Sequence, residues 1–240
     1  MAPWHLNRTA SSSETLFLAP VWLTFALINL VALTLARLTF TIWDSRLLFG
    51  EADLPTISFY GLTIDIITLS VLFLPVAVLD VVCPFSKPIR QLKPLIKLYL
   101  MAITLLNISG EMITPFFISH FDHRPTAALL GPALNVISQW PLKQHQYKYI
   151  ILMVLCMTVI RYFLSFLFNA LWQSAENHGF SLTRAKAMSL GALMCLIAPL
   201  WYLPSASSIE HLFDHNLGAE TVVVNAVLSL AQSWSLAGHQ

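Results

Sequence analysis

The sequence predicts an all-α polytopic membrane protein with five transmembrane helices, and three observations predict it. The 240 residues are 57% hydrophobic and only 10% charged, whereas a soluble domain carries about 25% charged residues. So few charges cannot clothe a surface that faces water, and the mean hydropathy of +0.70 agrees. Five stretches approach or exceed the roughly 20 mostly apolar residues that a spanning helix needs. The basic residues gather in two of the short connections between those stretches.

The first span is read at 16–37, "LFLAPVWLTFALINLVALTLAR". Its apolar core is too long for a cleaved leader and no A-x-A site follows, so it is expected to be retained. The second is 57–83, "ISFYGLTIDIITLSVLFLPVAVLDVVC", and the third 95–118, "LIKLYLMAITLLNISGEMITPFFI". Pro115 removes one backbone donor and is expected to bend or end the third span. The fourth is 148–171 and the fifth 187–204, "AMSLGALMCLIAPLWYLP". Two further segments read as helices lying in the interface. One is "TAALLGPALNVISQWP", with Trp140 as its anchor. The other is 219–236 in the tail, where Asn225, Ser229, Gln232, Ser233 and Ser235 dilute a run that otherwise approaches a sixth span.

Orientation follows from lysine and arginine. Lys87, Arg90, Lys93 and Lys97 crowd the second connection, and Arg184 and Lys186 lie in the fourth. Both connections are expected on the cytoplasmic side. The N-terminus is then inside, and 38–56, 119–147 and the tail from Ser205 are outside. The longer outer loops carry basic residues too, Arg46, Arg124 and Lys143 among them. A net charge of +1 gives no basic field for nucleic acid. Cys83, Cys156 and Cys195 are odd in number and widely spaced, and read as small buried hydrophobes. No paired-cysteine, P-loop or G-x-S-x-G motif occurs in the sequence.

Charges at membrane depth are expensive and mark function by default. At about 1.5 Å per residue, Asp65 and Glu111 fall at similar depths toward the outer side of spans two and three. Arg37 ends span one on that side, and Arg124 follows span three. These four are expected to form a polar cluster that either meets a lipid headgroup or clamps the helices together. Asp80, near the inner end of span two, and Arg161, near the middle of span four, are expected to form a structural pair, the arginine reaching inward along its own stem. His120, Asp122 and His123 have the chemistry of metal ligands. Their H-x-D-H spacing is not that of two histidines one helical turn apart, and no metal site is expected.

Two stretches carry a family resemblance. In "FYGLTIDIITLSVLFLP", 59–75, Gly61, Leu62 and Asp65 resemble the second span of the lipoteichoic acid synthase-like sulfatase family. In "EMITPFFISHFDHRPTAALL", 111–130, the residues Glu111, Pro115, Phe116, Phe117, Arg124 and Pro125 resemble that family's exit from span three. The segment "VVVNAVLSLAQSW", 222–234, is similar to the link between the spans and the catalytic domain. The resemblance implies membrane-anchored phosphoglycerol or phosphoethanolamine transferases of the alkaline phosphatase superfamily, seated in the bacterial cytoplasmic (inner) membrane and acting on phospholipids and envelope glycans. It also implies an outer domain of several hundred residues with a divalent metal and a threonine nucleophile. Nothing in 205–240 matches that domain, so no catalytic residue and no cofactor site carries over.

The expected function is therefore a membrane anchor that presents a phospholipid headgroup to a transferase, inactive without its catalytic half. Arg37 and Arg124 would meet the phosphate, and Asp65 and Glu111 would orient them or meet an amine. Membrane phospholipid is the expected partner, with a separate catalytic domain or subunit as a second. A stand-alone lipid-binding or regulatory protein is the rival reading, and a small transporter the third. Transporters usually show repeats or paired broken helices, and the sequence shows neither.

Overall fold

A computed structural model describes residues 17–43, 54–82, 86–121, 146–177 and 182–199. Five helices account for nearly all of them: α1 Ala19–Trp43, α2 Leu54–Val82, α3 Ser86–Phe121, α4 Gln146–Asn177 and α5 Leu182–Ile197. Four of these hold segments long and apolar enough to cross a membrane, Ala19–Thr39, Ser58–Val82, Ile89–Pro115 and Ile151–Glu176. The chain is a multi-pass membrane protein. The fifth expected span is described only as α5, whose apolar part is Lys186–Ile197, too short to cross by itself. Residues 200–204, both expected interfacial segments and the tail lie outside the described residues.

The sides of the bundle are apolar and much of its polarity is inside. Leu27, Val31 and Leu35 of α1 and Tyr162 and Phe166 of α4 are exposed, while Asn29, Arg37, Asp65, Asp80, Thr104, Asn107 and Glu111 are buried. In water this distribution would be costly; in lipid it is the favourable one, because tails solvate leucine as well as a core does and polar groups find partners only between helices. Central to the packing is α1, which touches all four other helices, while α2 also meets α5 and α3 meets α4. Phe25 of α1 sets its ring edge-on to Phe168 of α4 at 6.3 Å, and Phe168 stacks on Trp172 at 5.4 Å.

One expectation about α3 is corrected. The basic connection is not a loop: the helix begins at Ser86, so Lys87, Arg90, Lys93 and Lys97 lie on its first turns. Ile89 and Ile96 are buried in this stretch, and Arg90, Lys93 and Lys97 find partners on α4. Lys93 Nζ lies 5.1 Å from the Trp172 ring centre and Lys97 Nζ 5.8 Å from that of Phe168. Lys97 also donates to Asn169 Oδ1 at 3.2 Å, and Arg90 Nε is 3.4 Å from Glu176 Oε1. Cations over aromatic faces let a charged segment continue the helix instead of breaking away from it. Pro115 closes the part of α3 apolar enough to cross a membrane, while the helix itself runs on to Phe121. Thirty-six residues make about 54 Å of helix at ~1.5 Å per residue, more than a hydrocarbon core of about 30 Å.

A proline also lies inside α2, Pro75. Tyr99 of α3 donates its hydroxyl to the Leu72 carbonyl at 2.8 Å, in the turn before that proline, and so ties α3 to the α2 backbone. The thiols differ from expectation as well: Cys156 is half-buried and Cys195 is exposed, a small apolar side chain facing an apolar exterior. Cys83 lies outside the described residues.

Candidate polar site at the Arg37 end of the bundle

The site is assembled from one residue near the end of α1 and two near the start of α2. Gly61 and Asp65 are four apart and so share a helix face. Arg37 lies across from them and is buried, its side chain 5% exposed against 0% for Asp65. Its Nη2 donates to Oδ1 at 2.9 Å, and Nη1 stands 2.8 Å from Oδ2. The second contact is a close ionic approach rather than an aligned hydrogen bond, since Oδ2 receives no bond of good geometry. One aligned hydrogen bond and one close ionic approach hold the guanidinium in direction as well as by charge.

Gly61 is what makes room for it. A Cβ placed there would overlap Cζ and Nε of Arg37. The guanidinium therefore lies directly on the α2 backbone, one turn before the carboxylate that holds it.

Beside this pair, a polar chain joins α1 to α3. Asn107 Nδ2 donates to Asn29 Oδ1 at 2.9 Å, and Asn29 Nδ2 donates to Thr104 Oγ1 at 2.8 Å. The chain ends on backbone carbonyls, Asn29 Nδ2 also reaching Phe25 O at 2.8 Å and Thr104 Oγ1 reaching Leu100 O at 2.9 Å. Farther along the same face of α3, Glu111 is buried and lines a cavity of about 250 Å³ between α1 and α3.

The structure thus brings Arg37 and Asp65 into contact and places Glu111 on the adjoining helix. Arg124, the fourth residue of the expected cluster, lies outside the described residues, as do Asp122 and His123. Among the described residues no three histidine, cysteine, aspartate or glutamate side chains are grouped to hold a metal ion.

The expected Asp80–Arg161 pair is not formed. Asp80 accepts from the Leu18 backbone N–H at 3.0 Å, from Trp22 Nε1 at 3.4 Å and from Ser189 Oγ at 3.0 Å. Leu18 is the residue whose carbonyl takes the first bonds of α1, from Val21 and Trp22. Asp80 is therefore a cap supplied from another helix, its charge set against the positive end of the α1 dipole. Arg161 belongs to the first half of α4, where no residue from Ile151 to Phe163 is buried, and is itself exposed. Among the described residues, the buried core residues of α4 come from its second half, with Leu164, Phe168 and Trp172, and Ile160 packs against them half-buried.

Three features escaped the sequence reading: the capping role of Asp80, the use of Gly61 as a seat for a guanidinium, and the Asn29–Asn107 chain. The last had a signal. Two amides inside apolar runs are nearly as conspicuous as charges, and only charges were weighed at depth. No protein-family model matches the chain, and neither a curated protein nor a solved structure matches it.

Proposed function

We propose that this chain is the membrane domain of a lipoteichoic acid synthase-like, sulfatase-family transferase, anchoring the enzyme and holding a phospholipid headgroup at the outer face of the bacterial cytoplasmic membrane. The observation that carries the reading is the seat of Arg37 on Gly61 and Asp65. Gly61 and Asp65 are two of the residues on which the family resemblance rests, and they form one unit with a charged partner. The same bundle supports an orientation. The basic turns of α3 lie at the Asp80 end, and the positive-inside rule favours the cytoplasm for that end and the outer face for Arg37.

In this reading the buried pair is a fixed support rather than a receptor, because the fork of Arg37 is already closed on Asp65. Headgroup recognition falls to Glu111 and to Arg124, three residues beyond α3 in sequence. The divalent metal and the chemistry belong to a catalytic domain or subunit, not to residues of this chain.

The test is retention of labelled phospholipid by the purified 240-residue chain. Hydrogen bonds to charged groups contribute roughly 1.5–3 kcal/mol, so the double variant Glu111→Gln/Arg124→Ala is expected to hold phospholipid at least about tenfold more weakly. Unchanged retention would sink the reading. A stand-alone lipid-binding protein is the second reading, favoured by a cavity that needs no catalytic domain. Co-purification of a separate outer catalytic subunit would not distinguish the two, but phosphotransfer that requires this chain would decide for the first.

A further inference from the structure

We propose that the first half of α4 is a docking face for a transmembrane helix of another protein, one that carries a carboxylate at the depth of Arg161. Of the four candidate spans, the one in α4 is the least enclosed. In its most apolar stretch 11% of the residues are buried, against 33% or more in each of the other three. Its packing stripe is nevertheless continuous. Leu164, Phe168 and Trp172 are buried, and at helical spacing the same stripe runs back through Arg161, three residues before Leu164, to Val154. Arg161 and Val154 are both exposed. The face that enters the core in the second half of α4 thus continues into the first half, where no residue from Ile151 to Phe163 is buried.

The chemistry of Arg161 defines what a neighbour must offer. It lies ten residues after Ile151, the start of the spanning segment. At ~1.5 Å per residue that is about 15 Å, half of a hydrocarbon core of about 30 Å. Arginine at that depth is costly, and it is almost always turned to a bundle interior or paired. No described residue gives Arg161 a counter-ion, an acceptor or a ring face. A phospholipid phosphate stays at the headgroup level, and an arginine stem covers only part of the distance to it. A carboxylate on a spanning helix reaches the same depth with its backbone bonds satisfied.

A second copy of this chain fits less well. In a two-fold pair within one membrane, residues of one depth meet, which sets Arg161 against Arg161. The described acids are also spent: Asp65, Asp80 and Glu111 are buried within the chain, and Glu176 meets Arg90. Charge complementarity therefore selects a different protein with an acid in its span.

The inference goes beyond the headgroup reading and does not rest on it. It is tested with the full chain in phosphatidylcholine vesicles and three labelled synthetic helices, each of about 22 leucines and alanines. One has a central glutamate, one a central glutamine, and one a glutamate moved two turns toward an end. Measured by energy transfer from a label on the chain, the central-glutamate helix is expected to associate about tenfold or more tightly than the other two. Arg161→Gln, a change at an exposed position, is expected to remove the preference. In source membranes, a benzophenone amino acid placed at Val154 then reads the natural occupant. The expected adduct is another protein whose crosslinked span holds an aspartate or glutamate.

Equal association of the three synthetic helices overturns the proposal, and so does a preference that survives Arg161→Gln. Adducts confined to phospholipid, to a second copy, to other residues of this chain, or to a span without a carboxylate overturn it as well. Neither assay reads headgroup retention, so each of the two readings can fail while the other stands.

Discussion

Arg37→Ala is expected to lower stability by about 3–5 kcal/mol, the usual cost of leaving one partner of a buried ion pair without the other. The measurement is reversible unfolding in mixed micelles. The loss comes less from the missing attraction than from Asp65, which is fully buried and would keep its charge after losing the guanidinium. Asp65→Ala strands the arginine and is expected to cost a similar amount. The double variant Arg37→Met/Asp65→Leu removes both charges, and paired apolar replacements of buried ions are often neutral or stabilising. It should therefore be clearly more stable than either single variant. Gly61→Ala leaves both charges in place and displaces the guanidinium from its seat, for a loss of about 1–3 kcal/mol in the range of overpacking. If the two single losses simply add in the double variant, the pair is not coupled and the account of this site fails.

Asp80→Ala should have the second large effect, a loss of about 2–4 kcal/mol. Charge at a helix N-terminus contributes up to ~2 kcal/mol in partly buried geometry, and hydrogen bonds to charged groups roughly 1.5–3 kcal/mol. These overlap, since the Leu18 N–H belongs to both. Asp80→Asn keeps the shape but turns an amide toward donors and drops the charge, so it should recover less than half of the loss. Ser189→Ala removes one donor and should cost about 1 kcal/mol. Trp22 donates to the same carboxylate, which makes its fluorescence a local report on whether the N-terminal end of α1 has come loose. A change below about 0.5 kcal/mol for Asp80→Ala would place it among ordinary surface substitutions and refute the capping role.

The helices were largely legible because their signal is length and apolarity, and four of the five expected spans correspond to long described helices. Their ends were less so. A run with four basic residues and two prolines reads as a connection, yet Ser86–Lys97 is helical because its cations rest on Trp172 and Phe168, aromatic faces more than seventy residues away in sequence. Depth was legible in part: about 1.5 Å per residue put Asp65 and Glu111 near one level with Arg37 at that end of span one, and the fold joins Arg37 to Asp65. The partner of Asp80 was not, because charge suggested an arginine. What it has instead is a helix end, and a helix end offers backbone N–H groups that no residue type announces. Arg161 misled for the complementary reason. Its position in the span was read correctly, but which half of α4 would be packed depends on its neighbours and leaves no mark in the local pattern.

The most direct test of the central claim, that a phospholipid headgroup is held at the Arg37 end, is to locate the headgroup itself. The chain would be reconstituted with a phospholipid carrying a photoreactive headgroup, irradiated and mapped by mass spectrometry. The account predicts adducts on α3 around Glu111 and on the segment that follows it, reduced by Glu111→Gln/Arg124→Ala. Adducts spread evenly over both ends of the bundle, or gathered on the basic turns around Lys93, would contradict it.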